Sequence, residues 1–170
     1  MQPSQKRILL TWDDVDRLID SLLPKFRGEF QALLMITRGG IIPGGMLAER
    51  MGLTRLLTAA VDFPSQGEAQ QTRLMAWPEF IQFPSDDSLD GLRILIIDDV
   101  WGSGRTMTAV KNRVLAARAF PDTCVLHFNP YRSLFGSLRP DYHAAVTDAY
   151  VVYPWEVDHG ADKILASEMI

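Results

Sequence analysis

The sequence predicts an α/β fold in which a mostly parallel sheet is flanked by helices. Two observations lead there. Strand-like and helical stretches alternate along the whole chain. The strand-like runs at residues 32–36 and 93–97 are almost continuously aliphatic, the pattern of strands covered on both faces. The length of 170 residues suits one domain, taken as residues 1–170, and 47% apolar with 22% charged residues is an ordinary globular balance.

The elements follow in order. Thr11 with Asp14 three residues on has the form of a capping box, and Val15, Leu18, Ile19, Leu22 and Leu23 recur at helical spacing. A first helix is therefore expected from Thr11 to about Leu23, closed by Pro24 and Gly28. Residues 32–36 form a buried strand. Pro43 suits the first turn of a second helix, which Gly52 ends, and residues 56–61 make another strand. Residues 62–90 differ: Pro64, Gly67, Pro78 and Pro84 surround a polar tract, so a long flexible loop is expected, with room for a hairpin within 74–83. Order returns with the strand at 93–97. A helix follows from Thr106 to about Arg118, with Met107, Val110, Val114 and Ala117 on one face. Residues 123–128 and 150–153 are the last expected strands.

Composition excludes several classes. Cys124 is the single cysteine, so there is no disulfide framework, and with His127, His143 and His159 scattered no zinc cluster is expected. A net charge of −4 leaves no dominant basic surface for nucleic acid. No run approaches the roughly 20 apolar residues of a membrane span, and the first ten residues lack the form of a signal peptide. A cytoplasmic location is the expectation.

The chemistry is concentrated in IIDDVWGSGRT, residues 96–106. An aliphatic strand ends in Asp98 and Asp99, passes through Gly102, Ser103 and Gly104, and enters a helix at Arg105 and Thr106. Ligands of open α/β sheets bind beyond the carboxyl ends of the strands. Glycines let backbone N–H groups wrap an oxyanion, and a helix N-terminus adds its positive dipole end. Ser103 and Thr106 offer hydroxyls to the same anion, while Asp98 and Asp99 suit either sugar hydroxyls or a divalent cation. A purely structural reading, an acidic strand end before a tight turn, leaves the surrounding acids and hydroxyls unexplained. The spacing fits neither a Walker loop, which ends in Gly-Lys-Ser/Thr, nor the dinucleotide fingerprint, which needs a third glycine.

The stretch 98–106 resembles the signature of the type I phosphoribosyltransferases. The resemblance implies that family's fold, with a small hood built from terminal segments. It also implies that the acidic pair binds the ribose hydroxyls of phosphoribosyl pyrophosphate (PRPP), while residues 102–106 bind its 5′-phosphate. Thr37-Arg38-Gly39-Gly40 resembles the pyrophosphate loop of the bacterial xanthine-guanine branch. Arg38 suits that role, since its fork of donors fits phosphate oxygens. The tail from Asp148 to Glu156 is similar to the base-binding end of the same branch, which makes Tyr150 the ring stacked on a purine, Val151 a backbone contact to its edge, and Trp155 structural. The family reaction transfers ribose 5-phosphate from PRPP to a ring nitrogen through an oxocarbenium-like transition state. The resemblance further implies Mg²⁺ bound with PRPP or pyrophosphate beside Asp99, a closing loop at 62–90 with Arg73 as a pyrophosphate contact, and a homodimer or homotetramer.

Two positions depart from the purine pattern. Gly102 stands where that branch places an aspartate near N7 of the base, and Asn129 stands where it places a lysine that reads the exocyclic oxygen of a 6-oxopurine. Both lie at base-recognition positions, while the PRPP positions are intact. Two other readings follow: a regulatory domain that binds PRPP or a nucleotide without turnover, and a transferase for a non-purine base.

Overall fold

The structure, a computed structural model, describes residues 6–64 and 77–156. Its elements are β1 (Arg7–Leu9), α1 (Trp12–Leu22), a 3-10 turn (Leu23–Lys25), β2 (Ala32–Ile36), α2 (Ile41–Met51) and β3 (Leu56–Asp62). After the undescribed stretch come β4 (Glu79–Gln82), the short α3 (Asp86–Leu89), β5 (Arg93–Trp101), α4 (Arg105–Ala116), β6 (Phe120–Phe128), β7 (Tyr142–Val146) and β8 (Tyr150–Val152).

The main sheet has the order β4-β3-β2-β5-β6-β7. All its pairings are parallel except β3 with β4. From β2 the chain moves outward to β3, whereas from β5 it moves the opposite way to β6. The carboxyl ends of β2 and β5 therefore flank a topological switch point, where open sheets of this class form a crevice. Along β2 and β5, Leu33, Met35, Leu95 and Ile97 join α1 and α2 in one core, while Leu34, Ile36, Ile94 and Ile96 join α4 in the other. Burial on both faces explains why these strands are continuously apolar.

The helices form as expected. Thr11 caps α1 through the reciprocal bonds of a capping box with Asp14. Val15, Ile19 and Leu22 are fully buried. Arg50 on α2 reaches back to Asp20 (2.7 Å) and Asp16 (2.7 Å) on α1, which holds the two helices side by side. Met107, Val110 and Val114 of α4 lie on the opposite core.

Several expectations need correction. The 62–90 region is not one long loop: β4 pairs antiparallel with β3, and α3 buries Leu89, so only 65–76 falls outside the described residues, and with it Arg73. The strand expected at 93–97 runs on to Trp101, because β6 pairs with it as far as Phe128. The strand at 150–153 does not join the main sheet. Instead β8 pairs in parallel with β1, a strand the sequence reading does not include, and the two build a separate two-stranded hood. β7 was not expected at all.

Candidate active site

The loop after β2 and the acidic end of β5 are in contact. A Cβ built on Gly39 would lie 2.5 Å from Asp99 Oδ1 and 2.6 Å from Asp98 Oδ1. Only a residue without a side chain lets backbone come this close. The peptide between Thr37 and Arg38 is cis, and Arg38 is exposed. α2 then starts at Ile41 and α4 at Arg105, each preceded by a glycine with no side-chain cap. Two helix N-termini, the natural sites for anions, thus rise from the switch point.

Asp98 and Asp99 sit within β5, not beyond it. Asp99 is buried, its Oδ1 accepting from the Val100 amide (2.6 Å), and Asp98 Oδ1 accepts from the Asp99 amide (3.0 Å). Loss of solvent raises Asp98 well above the usual carboxylate range, and the neighbouring Asp99 charge adds to this. Burial likewise pushes Asp99 up to about 6, with the Glu156 carboxylate contributing. Among the described residues no group of three or more His, Cys, Asp or Glu side chains is arranged to hold a metal ion by itself. A desolvated pair of carboxylates fits a cation that brings further oxygen ligands with it.

The 102–104 turn is held from two sides. Gly104 has φ +82°, and a Cβ on it would strike the indole of Trp101, with Cε2 2.6 Å away. From the other side the Leu134 amide donates to the Ser103 carbonyl (3.0 Å), and Trp101 Nε1 donates to Ser133 Oγ (3.4 Å). Gly102 is different: a Cβ there meets nothing within 4 Å, and its φ is not positive. Gly104→Ala is therefore expected to cost about 1–3 kcal/mol of stability in urea unfolding, the range for a non-glycine residue forced into the left-handed region. Gly102→Ala should change it by no more than about 0.5 kcal/mol.

Asn129 follows β6, its amide donating to the Trp101 carbonyl (3.0 Å). Its side chain is buried, and Oδ1 accepts from the Tyr131 amide (3.1 Å). Tyr150 and Val151 lie on β8 in the hood, Tyr150 half-buried and Val151 buried. Trp155 stacks on Tyr153 with ring centroids 4.7 Å apart and packs near Trp12, which agrees with a structural role.

A model of the phosphoribosyl transferase domain matches residues 5–135, well over half of the chain. The chain belongs to the phosphoribosyltransferase family. A xanthine-guanine phosphoribosyltransferase of Ruegeria sp. (strain TM1040) is 29% identical over 167 residues, covering 91% of this chain and 88% of that protein. Among solved phosphoribosyltransferases, a purine phosphoribosyltransferase from Pyrococcus horikoshii Ot3 superposes with a TM-score of 0.74 at 28% identity, over 89% of this chain and 95% of the other. The xanthine-guanine-hypoxanthine enzyme of Helicobacter pylori shares the fold, with a TM-score of 0.72 at 18% identity over 95% and 99%.

The structure also brings in Phe63, Ser133 and Tyr153, to which sequence reading of the family motifs gives no role. Arg105 lies over the ring of Phe63, 4.1 Å from its centroid, where β3 leads into the 65–76 stretch. Ser133 braces Trp101. Tyr153 reaches Asp99 from the hood. Nothing local in the sequence flags Tyr153; once its ring is buried, its hydroxyl finds a partner as buried phenols do.

Proposed function

We propose that this phosphoribosyltransferase transfers ribose 5-phosphate from PRPP to a ring nitrogen of a 6-oxopurine, releasing pyrophosphate and a nucleoside monophosphate. The observation that carries the reading is the contact of the Gly39 backbone with both Asp98 and Asp99, which makes one site of the two loops. In it Arg38, with Thr37, Gly39 and Gly40, holds the departing pyrophosphate. The 102–106 turn and the α4 N-terminus hold the 5′-phosphate, and Asp98 with Asp99 binds the ribose hydroxyls. The names of the relatives support the purine as acceptor.

The base is read from the hood and from β6. Tyr150 stacks on the ring, and the Val151 backbone meets its edge. With Oδ1 already accepting from the Tyr131 amide, the Asn129 side chain keeps two N–H donors against one remaining lone pair, which favours its use as a donor. A donor suits a keto oxygen and disfavours a 6-amino group. Asp98 and Asp99 would hold Mg²⁺ together with PRPP oxygens, where the cation supplies charge neutralisation for the leaving pyrophosphate. The protein's own part is to align base and ribose and to keep water out.

The test is pyrophosphate release from PRPP and Mg²⁺ with a panel of bases. Guanine, xanthine or hypoxanthine should support turnover, and adenine should not; release with adenine alone would overturn the assignment. Gly102 favours a second reading, a PRPP- or nucleotide-binding regulator, which the same panel identifies by saturable PRPP binding without release. Arg38→Ala should weaken pyrophosphate binding by about 1.5–3 kcal/mol, the value of a hydrogen bond to a charged group. Calorimetric titration showing unchanged affinity would remove Arg38 from this role.

A further inference from the structure

Tyr153 is the first residue after β8, yet its side chain leaves the hood and enters the core, where it is 2% exposed. Its hydroxyl donates to the Asp99 carbonyl (3.0 Å) and lies 2.8 Å from His127 Nδ1. The hydroxyl has one proton, given to the carbonyl, so His127 must donate through Nδ1. Burial lowers His127 to about 4, so it is a neutral imidazole near pH 7. On the hood side the Tyr153 amide donates to Glu156 Oε2 (2.9 Å), the Glu156 amide donates to the Tyr153 carbonyl (3.0 Å), and Trp155 stacks on the ring at 9°. Ring and backbone are both fixed, and the hydroxyl is aimed.

The place it is aimed at matters. β2 ends at Ile36, and the last pairing of β5 with β2 is Met35 with Ile97. From Asp98 onward β5 has a strand neighbour on one side only, that of β6. The acidic pair thus stands where the sheet gives it least support, and a side chain from the hood takes the Asp99 carbonyl.

We propose that Tyr153 is a positioning residue: through the Asp99 peptide it fixes the distance between the base-reading segment of the hood and the ribose-binding acids of the core. This rests on the proposed transfer reaction. The base is held at Tyr150 and Val151, three and two residues before Tyr153, and the ribose at Asp98 and Asp99. In-line attack needs the ring nitrogen about 3–3.5 Å from the ribose carbon, and a misplacement of about 1 Å costs on the order of 10²-fold in rate. A polar link between the two holding segments controls that distance without touching either substrate.

Tyr153→Phe keeps the ring and its stack but removes the link. Assayed well below its unfolding temperature, it should lose about 10–100-fold in kcat, with KM for PRPP and base within about threefold of wild type. His127→Leu, which keeps the tyrosine but removes the donor that holds it, should lose less in kcat in the same pattern. Hydrogen exchange reads the link without catalysis. In wild type, PRPP with Mg²⁺ should slow exchange both at residues 98–106 and in the hood at 7–10 and 150–153. In Tyr153→Phe the first protection should persist and the second should fall. Hood protection or kcat equal to wild type in a folded Tyr153→Phe overturns the proposal, as does a wild type whose hood is not protected. Should Tyr153→Phe not fold, an unchanged kcat in His127→Leu overturns it. A wild type that binds no PRPP sinks the transferase reading itself, and the link with it.

Discussion

Turnover with guanine, xanthine or hypoxanthine is expected to rise by about 10²–10⁴-fold in Gly102→Asp, the usual contribution of a positioned acid–base group. The substitution restores the carboxylate that the purine branch, by resemblance, places beside N7. The site can accept it: a Cβ at 102 meets no atom within 4 Å, and the residue does not occupy the left-handed region. The neighbouring Gly104 could not take such a change, because its Cβ would enter the Trp101 ring. PRPP affinity, measured in parallel, should be retained. A variant that binds PRPP normally and gains with none of the three bases would mean that the base pocket serves another acceptor or none, and would move the assignment to a regulator or a non-purine transferase.

Asp98→Asn with Asp99→Asn should remove the stabilisation of the fold by PRPP and Mg²⁺ while leaving the ligand-free protein at least as stable as wild type near pH 7. The sign follows from the raised carboxyl values. A folded-state value above the unfolded one means that the native state retains protons the unfolded chain has released, so stability falls as the pH rises from about 4 toward 6 and beyond. Asparagine removes that penalty and can still accept the amide bonds now made by the two Oδ1 atoms. Ligand at 100 times its dissociation constant stabilises a protein by about 2.7 kcal/mol. For a chain of this length that is on the order of 5–10 °C in melting temperature. An equal PRPP-dependent shift in wild type and double variant would exclude the acidic pair from the binding site.

Much of this was legible in the residues. Apolar runs on β2 and β5 announced doubly covered strands, the Thr11–Asp14 box announced α1, and the Gly-rich turns announced sites of close backbone approach. What stayed hidden depends on partners distant in sequence. β7, Tyr142–Val146, contains His143 and two alanines, a weak strand pattern that forms because β6 is beside it. β6 begins at Phe120, three residues before the strand read at 123–128; Pro121 is tolerated near its start, where it faces Ile94 before β7 has joined. Asp98 and Asp99 looked like a strand end because carboxylates seldom lie in sheets, and only the long ladder with β6 carries β5 past them. The reach of Tyr153 to Asp99 spans 54 residues and has no local signature.

The hood has a consequence for how the molecule is assembled. Its two strands pair Arg7 with Tyr150 and Leu9 with Val152, residues more than 140 positions apart. Closing a free loop of that length costs about 4 kcal/mol in chain entropy, by the logarithmic rule, more than three residue pairs can return. The pairing becomes favourable only after the central sheet has already brought β1 and β8 together. β1 is synthesised more than 140 residues before β8 and must wait for the strands between them before it finds its partner. The crevice at the switch point can therefore take shape while β1 and β8 are still unpaired, and the hood is the last part of the described fold to close.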